Sequence, residues 1–153
     1  MKRLLNIFIL FFFSTLLFAE LPITETINKM GHDCIVSDYS CALAMDDNGT
    51  FYLYAPGPET EYGKIFIYKE DRKISKSEVQ AEINRLDSYN HDIFGNRGYS
   101  RVKLEKNGYK VLELEEYIYS AIKSVFWYYV KTPNDNWYKM QYWKKINPVL
   151  DNL

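Results

Sequence analysis

The sequence predicts an α+β fold: a single curved antiparallel β-sheet of about five to seven strands, with one main helix packed on a face and a short N-terminal helix. Three observations lead there. Asn48-Gly49 and Asn107-Gly108 each stand between apolar runs. That is a strong hairpin signal, because Asn and Gly accept the positive φ of a tight turn. Ser75-Lys76-Ser77-Glu78 has the Ser-to-Glu spacing of a capping box and opens a segment of helical periodicity. Phe126–Lys131 and Trp137–Lys144 are alternating, aromatic-rich runs around a Pro133-Asn134 turn.

In chain order, residues 1–19 read as a secretory signal peptide. Lys2 and Arg3 supply a basic start, Leu4–Phe18 is apolar apart from Asn6, Ser14 and Thr15, and Ala19 is a small residue ahead of a cleavage point. Leu17 is bulkier than the side chain usual two residues before cleavage, so an uncleaved anchor is the alternative. The run is shorter than the ~20 apolar residues of a spanning helix. Residues 20–153 then form a single soluble α+β domain of ordinary length.

Ile23, Ile27 and Met30 recur at helical spacing and Gly31 sits at a C-cap position, which predicts a helix over about residues 23–30. Cys34 and Cys41 bracket a loop. Ala42–Met45 and Thr50–Ala55 form the first hairpin, ended by Pro56-Gly57-Pro58. Lys64–Lys69 alternates as a third strand. In the main helix, Ser75 to about Ser88, the residues Val79, Ile83 and Leu86 make the buried stripe, and Ile74 with Val79 makes a hydrophobic staple. Tyr99–Lys106 and Tyr109–Tyr119 form the second hairpin. Residues 114–125 read as strand, with a helix as the alternative because Leu114, Ile118, Ile122 and Val125 also fit a helical period.

The chain carries 19 Lys+Arg and 20 Asp+Glu, a net charge of −1. Two of those basic residues, Lys2 and Arg3, lie in the signal, which has no acidic residue. The domain is therefore more acidic than the whole chain. That argues against nucleic acid or an anionic membrane as partner. No second long apolar run follows, so no membrane span is expected in residues 20–153. All 14 Tyr and all 3 Trp lie in the domain, whereas Phe8, Phe11, Phe12, Phe13 and Phe18 are more than half of the 9 Phe. The signal places the domain in a bacterial periplasm or outside the cell.

That compartment is oxidising, so Cys34 and Cys41 are expected to form a disulfide. The competing assignment is a metal site of His32, Asp33, Cys34 and Cys41, but the spacing matches no standard zinc pattern. No metal or cofactor is predicted. His32 and His91 are the sole histidines, and neither stands in a recognisable nucleophile motif. Glu113 and Glu115 would share one face of a strand with Glu116 on the other, an acid–base pair in principle but a solvated face by default. Asn48-Gly49-Thr50 is an N-glycosylation acceptor, with Asp46 two residues before the Asn.

The aromatic C-terminal hairpin is the candidate binding surface. Trp127, Tyr129, Trp137 and Trp143 are the side chains expected to give contact area at low entropy cost. The expected function is that of an exported, non-catalytic envelope protein, a binding or inhibitor/immunity-type module whose partner is a protein or glycan of the envelope. The alternatives are a small periplasmic enzyme with an unfamiliar site and a structural envelope component that self-associates.

Overall fold

The computed structural model describes residues 21–38, 41–56 and 63–147; residues 1–19, where a signal peptide is expected, lie outside them. Helix α1 (Leu21–Lys29) ends at Gly31, whose φ of 73° lets the chain reverse while His32 N–H reaches Ile27 O at 3.1 Å. Strands β1 (Asp33–Ser37), β2 (Ala42–Met45), β3 (Phe51–Pro56) and β4 (Ile65–Ile74) follow as an antiparallel meander. Helix α2 (Lys76–Ser88) starts on a complete capping box: Glu78 N–H donates to Ser75 Oγ and Ser75 N–H donates to Glu78 Oε2. It carries the chain to the far edge of the sheet. There β5 (Arg97–Lys106), β6 (Tyr109–Ile118), β7 (Lys123–Lys131) and β8 (Trp137–Ile146) make a second meander that returns to pair with β4.

The result is one curled antiparallel sheet of 8 strands in the order β1-β2-β3-β4-β8-β7-β6-β5. Its inner face holds Val36, Leu43, Leu53, Leu104, Val111, Val130 and Met140, drawn from strands at both ends of that order. The curl brings the edge strands β1 and β5 near one another, and Lys106 Nζ donates to Ser37 O at 3.2 Å across the gap. The helices cover two outer faces. Ile27 of α1 packs on Ala42, Ala44, Tyr52, Tyr54 and Ile67. Val79 and Leu86 of α2 pack on Leu112, Leu114, Tyr129 and Trp137. Each fully buried aliphatic side chain contributes about 1.5–3 kcal/mol.

Two expectations, the strand count and the disulfide, need correction. The strand count is 8, above the expected range. The strand unforeseen in the sequence is β1, whose alternation is broken by a register shift between Cys34 and Val36. Over residues 114–125 the strand reading holds over its helical alternative: β6 and β7 are joined by a single 3-10 turn, Tyr119–Ala121. The disulfide is absent: no bridge joins Cys34 and Cys41. Cys34 lies opposite Ala44, whereas Cys41 O accepts from Asp38 N–H at the other end of the β1–β2 hairpin. That stagger along the strands sets their Cα atoms roughly 10 Å apart, beyond the ~7 Å limit for a bridge. They also face opposite ways: Cys41 joins the inner core and Cys34 the cluster under α1.

Candidate functional site at the open end of the sheet

β4 and β8 pair along their length, and so do β6 and β7. Between these two pairs the ladder is short: β7 and β8 are joined only over Tyr128–Lys131 and Trp137–Met140. Beyond Tyr128 and Met140, residues 123–127 and 141–146 have no strand on their facing edges among the described residues. The sheet therefore splits into a notch flanked by two strand edges.

A row of side chains crosses the inner face at the apex of that notch. By register it runs Glu70, Met140, Tyr128, Glu113, Arg101. Tyr128 donates its hydroxyl to Glu113 Oε2 at 2.7 Å, Arg101 Nε lies 3.0 Å from Glu113 Oε1, and Lys103 Nζ stands 3.7 Å from Oε2. Glu113 is buried, and these donors supply what its charged form needs at low dielectric. Arg101 also pairs with Glu115, which accepts from Ser124 Oγ at 2.7 Å. Tyr68 packs on Tyr128 with ring centroids 4.6 Å apart. Burial pushes the Tyr68 hydroxyl up to about 12 and raises that of Tyr128 too, with Glu113 adding to the latter. Both stay protonated as donors at neutral pH. Glu70 Oε2 is buried with no hydrogen-bond partner among the described residues. The notch walls continue as Phe126 on one side and Tyr142, with Tyr68 and Phe66, on the other.

The outer face beside α1 carries a second aromatic group. Trp143 is the extra residue of a β-bulge, since β4 pairs Ile67 with Lys144 and Tyr68 with Tyr142. The bulge turns its ring toward Tyr52 and His32, with centroids at 5.3 and 6.3 Å. His32 stacks on Tyr52 at 3.8 Å and its Nδ1 lies 2.6 Å from the Tyr54 hydroxyl. Burial lowers the His32 pKa, partly offset by Asp46.

The four expected binding aromatics do not form one surface. Tyr129 and Trp137 are buried under α2, and Trp127 packs beside them with Arg85 5.6 Å over its ring. Trp143, at 44% exposure, stands on the other outer face. Asn48 is exposed in its turn, where its N–H is bonded to Asp46 Oδ1 at 2.9 Å. His91 ends a 3-10 turn after α2. Glu116 faces outward to Arg85 at 3.4 Å, while Glu113 and Glu115 share the inner face, as the strand alternation predicts. Among the described residues no three His, Cys, Asp or Glu side chains gather as a metal-binding group.

No family model, no curated protein and no solved structure matches this chain. The notch therefore rests on its own geometry. Sequence reading missed its members Arg101, Tyr128, Tyr68 and Glu70. One signal was partly visible. Counting back from the Asn107-Gly108 turn pairs Leu104 with Val111, but regular counting would then set Arg101 across from Leu114. A bulge at Lys103 shifts the register and puts Arg101 opposite Glu113.

Proposed function

We propose that the chain is a non-catalytic binding module of the cell envelope, and that it captures an extended segment of a partner protein in the notch between β7 and β8. The observation that carries this reading is the interrupted β7–β8 ladder, with the unpaired Glu70 carboxylate oxygen near its apex. Facing strand edges offer main-chain donors and acceptors to an added strand, and rings beside them offer specificity to alternate side chains. Phe126, Tyr68 and Tyr142 supply those rings, and a donor on the guest would satisfy Glu70. The neighbouring carboxylates Glu113 and Glu115 are engaged by Arg101, Lys103, Tyr128 and Ser124, an arrangement suited to rigid recognition rather than proton transfer.

The test is selection of a displayed random-peptide library on the purified protein, followed by calorimetry on the peptides recovered. Peptides that bind should lose roughly tenfold in affinity to Tyr142→Ala and to Glu70→Gln. Amide exchange should slow at residues 123–127 and 141–146 when they bind. Peptides that bind equally well to both variants, or selection that recovers none, would remove this reading. Binding of envelope glycan fragments that is lost in Trp143→Ala would move the site to the outer face.

A further inference from the structure

Beyond the notch, the turn that links β6 to β7 meets the loop after α2. Tyr119 N–H donates to Asn96 Oδ1 at 3.1 Å. Gly95, at φ 82°, lies so close that an added Cβ would sit 3.2 Å from Cγ of Tyr119. The joined turns present Ile93, Phe94, Tyr119 and Ile122 at 90%, 74%, 61% and 82% exposure. These are large apolar side chains with no core to fill. Ile122 has φ 49°, a left-handed conformation that a β-branched residue rarely adopts and that Gly or Asn would take easily. Strain of this kind tends to collect at functional positions.

Two further features narrow the occupant. Four backbone N–H groups of the tip are bonded from within. Asp92 N–H reaches Tyr89 O, Gly95 N–H reaches Asp92 O, Ile122 N–H reaches Tyr119 O, and Phe94 N–H reaches Asp92 Oδ1. A segment that leaves water needs that. The charge at its base is arranged as well. Arg97 and Lys123 follow the two turns and are exposed. Of the nearby acids, Asp92 turns inward to Phe94 and Asn96, Glu116 is held by Arg85, Glu115 is held by Arg101, and Asp87 lies on the exposed side of α2.

We propose that this tip inserts into the surface of a phospholipid bilayer, with Ile93, Phe94 and Ile122 among the acyl chains, Tyr119 at the interface, and Arg97 and Lys123 at the phosphates. Projecting apolar side chains on tight, internally bonded turns suit a fluid medium, which needs no preformed pocket. A Tyr beside hydrocarbon side chains suits the headgroup boundary. The acidic balance of the whole chain does not oppose this, because the local cations are the ones that face the bilayer.

Residues 1–19 are apolar enough to hold lipid themselves, so the test is site-resolved and uses the full chain. With Cys34 and Cys41 replaced by Ser and Ala, an environment-sensitive fluorophore is attached at Phe94→Cys or Ile122→Cys, with Gln80→Cys on α2 as reference. Vesicles of phosphatidylethanolamine and phosphatidylglycerol should blue-shift the probe at 94 and 122, brominated lipid should quench it there, and position 80 should not respond. Ile93→Ser with Phe94→Ser should lower the partitioning of the 122 probe by roughly a hundredfold, about tenfold for each side chain. No response at 94 and 122, or an equal response at 80, would overturn the proposal. So would a shift that follows protein concentration without vesicles, which would assign the tip to a second copy of the chain.

Discussion

Gly98 is where β5 passes closest to α2. A Cβ there would sit 2.3 Å from the Leu86 carbonyl oxygen, a backbone atom that cannot step aside. Gly98→Ala is expected to cost about 1–3 kcal/mol in urea denaturation as the helix is pushed off the sheet. His32 offers a second residue-scale expectation. Its pKa is lowered by burial, so the folded state disfavours the proton that the unfolded chain accepts near 6.5. The associated stability is full above that pH and is lost as pH falls below it. Thermal melts between pH 8 and 5 should show a decline below about 6.5 that His32→Gln removes. An unchanged slope in the variant would assign the decline to other groups. The chemistry of His32 was not legible locally, since Tyr52, Tyr54 and Trp143 meet it from two other strands.

Elements set by local chemistry were legible. α2 begins at its capping box because Ser75 and Glu78 satisfy each other's backbone amides. Ser75→Ala should lower stability by about 1 kcal/mol. The Ser75 amide and Arg72 hold the Glu78 carboxyl down to about 2. That depressed value means the cap is fully effective above the ordinary carboxylate range near 4.5 and weakens as pH falls toward 2. Acid titration followed by circular dichroism should show part of the loss in that window, and Glu78→Gln should lack it. The hairpins at Asn48-Gly49 and Asn107-Gly108 were legible for the same local reason, the turn residues. The β6–β7 turn was not. Tyr119–Ala121 carries no Gly, Pro, Asn or Asp, and Ile122 takes a backbone conformation its side chain disfavours. β1 was hidden by its bulge and by a pair of cysteines that pointed to a bridge.

At the scale of the whole molecule, stability comes from three apolar clusters, one inside the curl and one under each helix. No covalent link between Cys34 and Cys41 contributes. Unfolding midpoints should therefore coincide with and without dithiothreitol, and a reductant-sensitive midpoint would contradict the absence of a bridge. Two properties of the fold belong to this scale alone. Curling sends Trp127, Tyr129 and Trp137 under α2 and leaves Trp143 on another face, so an aromatic hairpin that looks continuous in sequence is divided in space. The parting of β7 from β8 opens the notch and places Glu70 beside the Tyr128–Glu113–Arg101 row. The order of residues was enough to predict the α+β class, the capped helix, the two Asn-Gly hairpins and the shared face of Glu113 and Glu115. Each of these depends on neighbours a few positions apart, through turn dihedrals, caps and the two-residue strand period. The joining of two meanders at β4 and β8, the bulges at Lys103 and Trp143, the split ladder and the unbridged cysteines depend on which distant strands meet and in what register. Burial of the whole sheet decides that, and no local pattern encodes it.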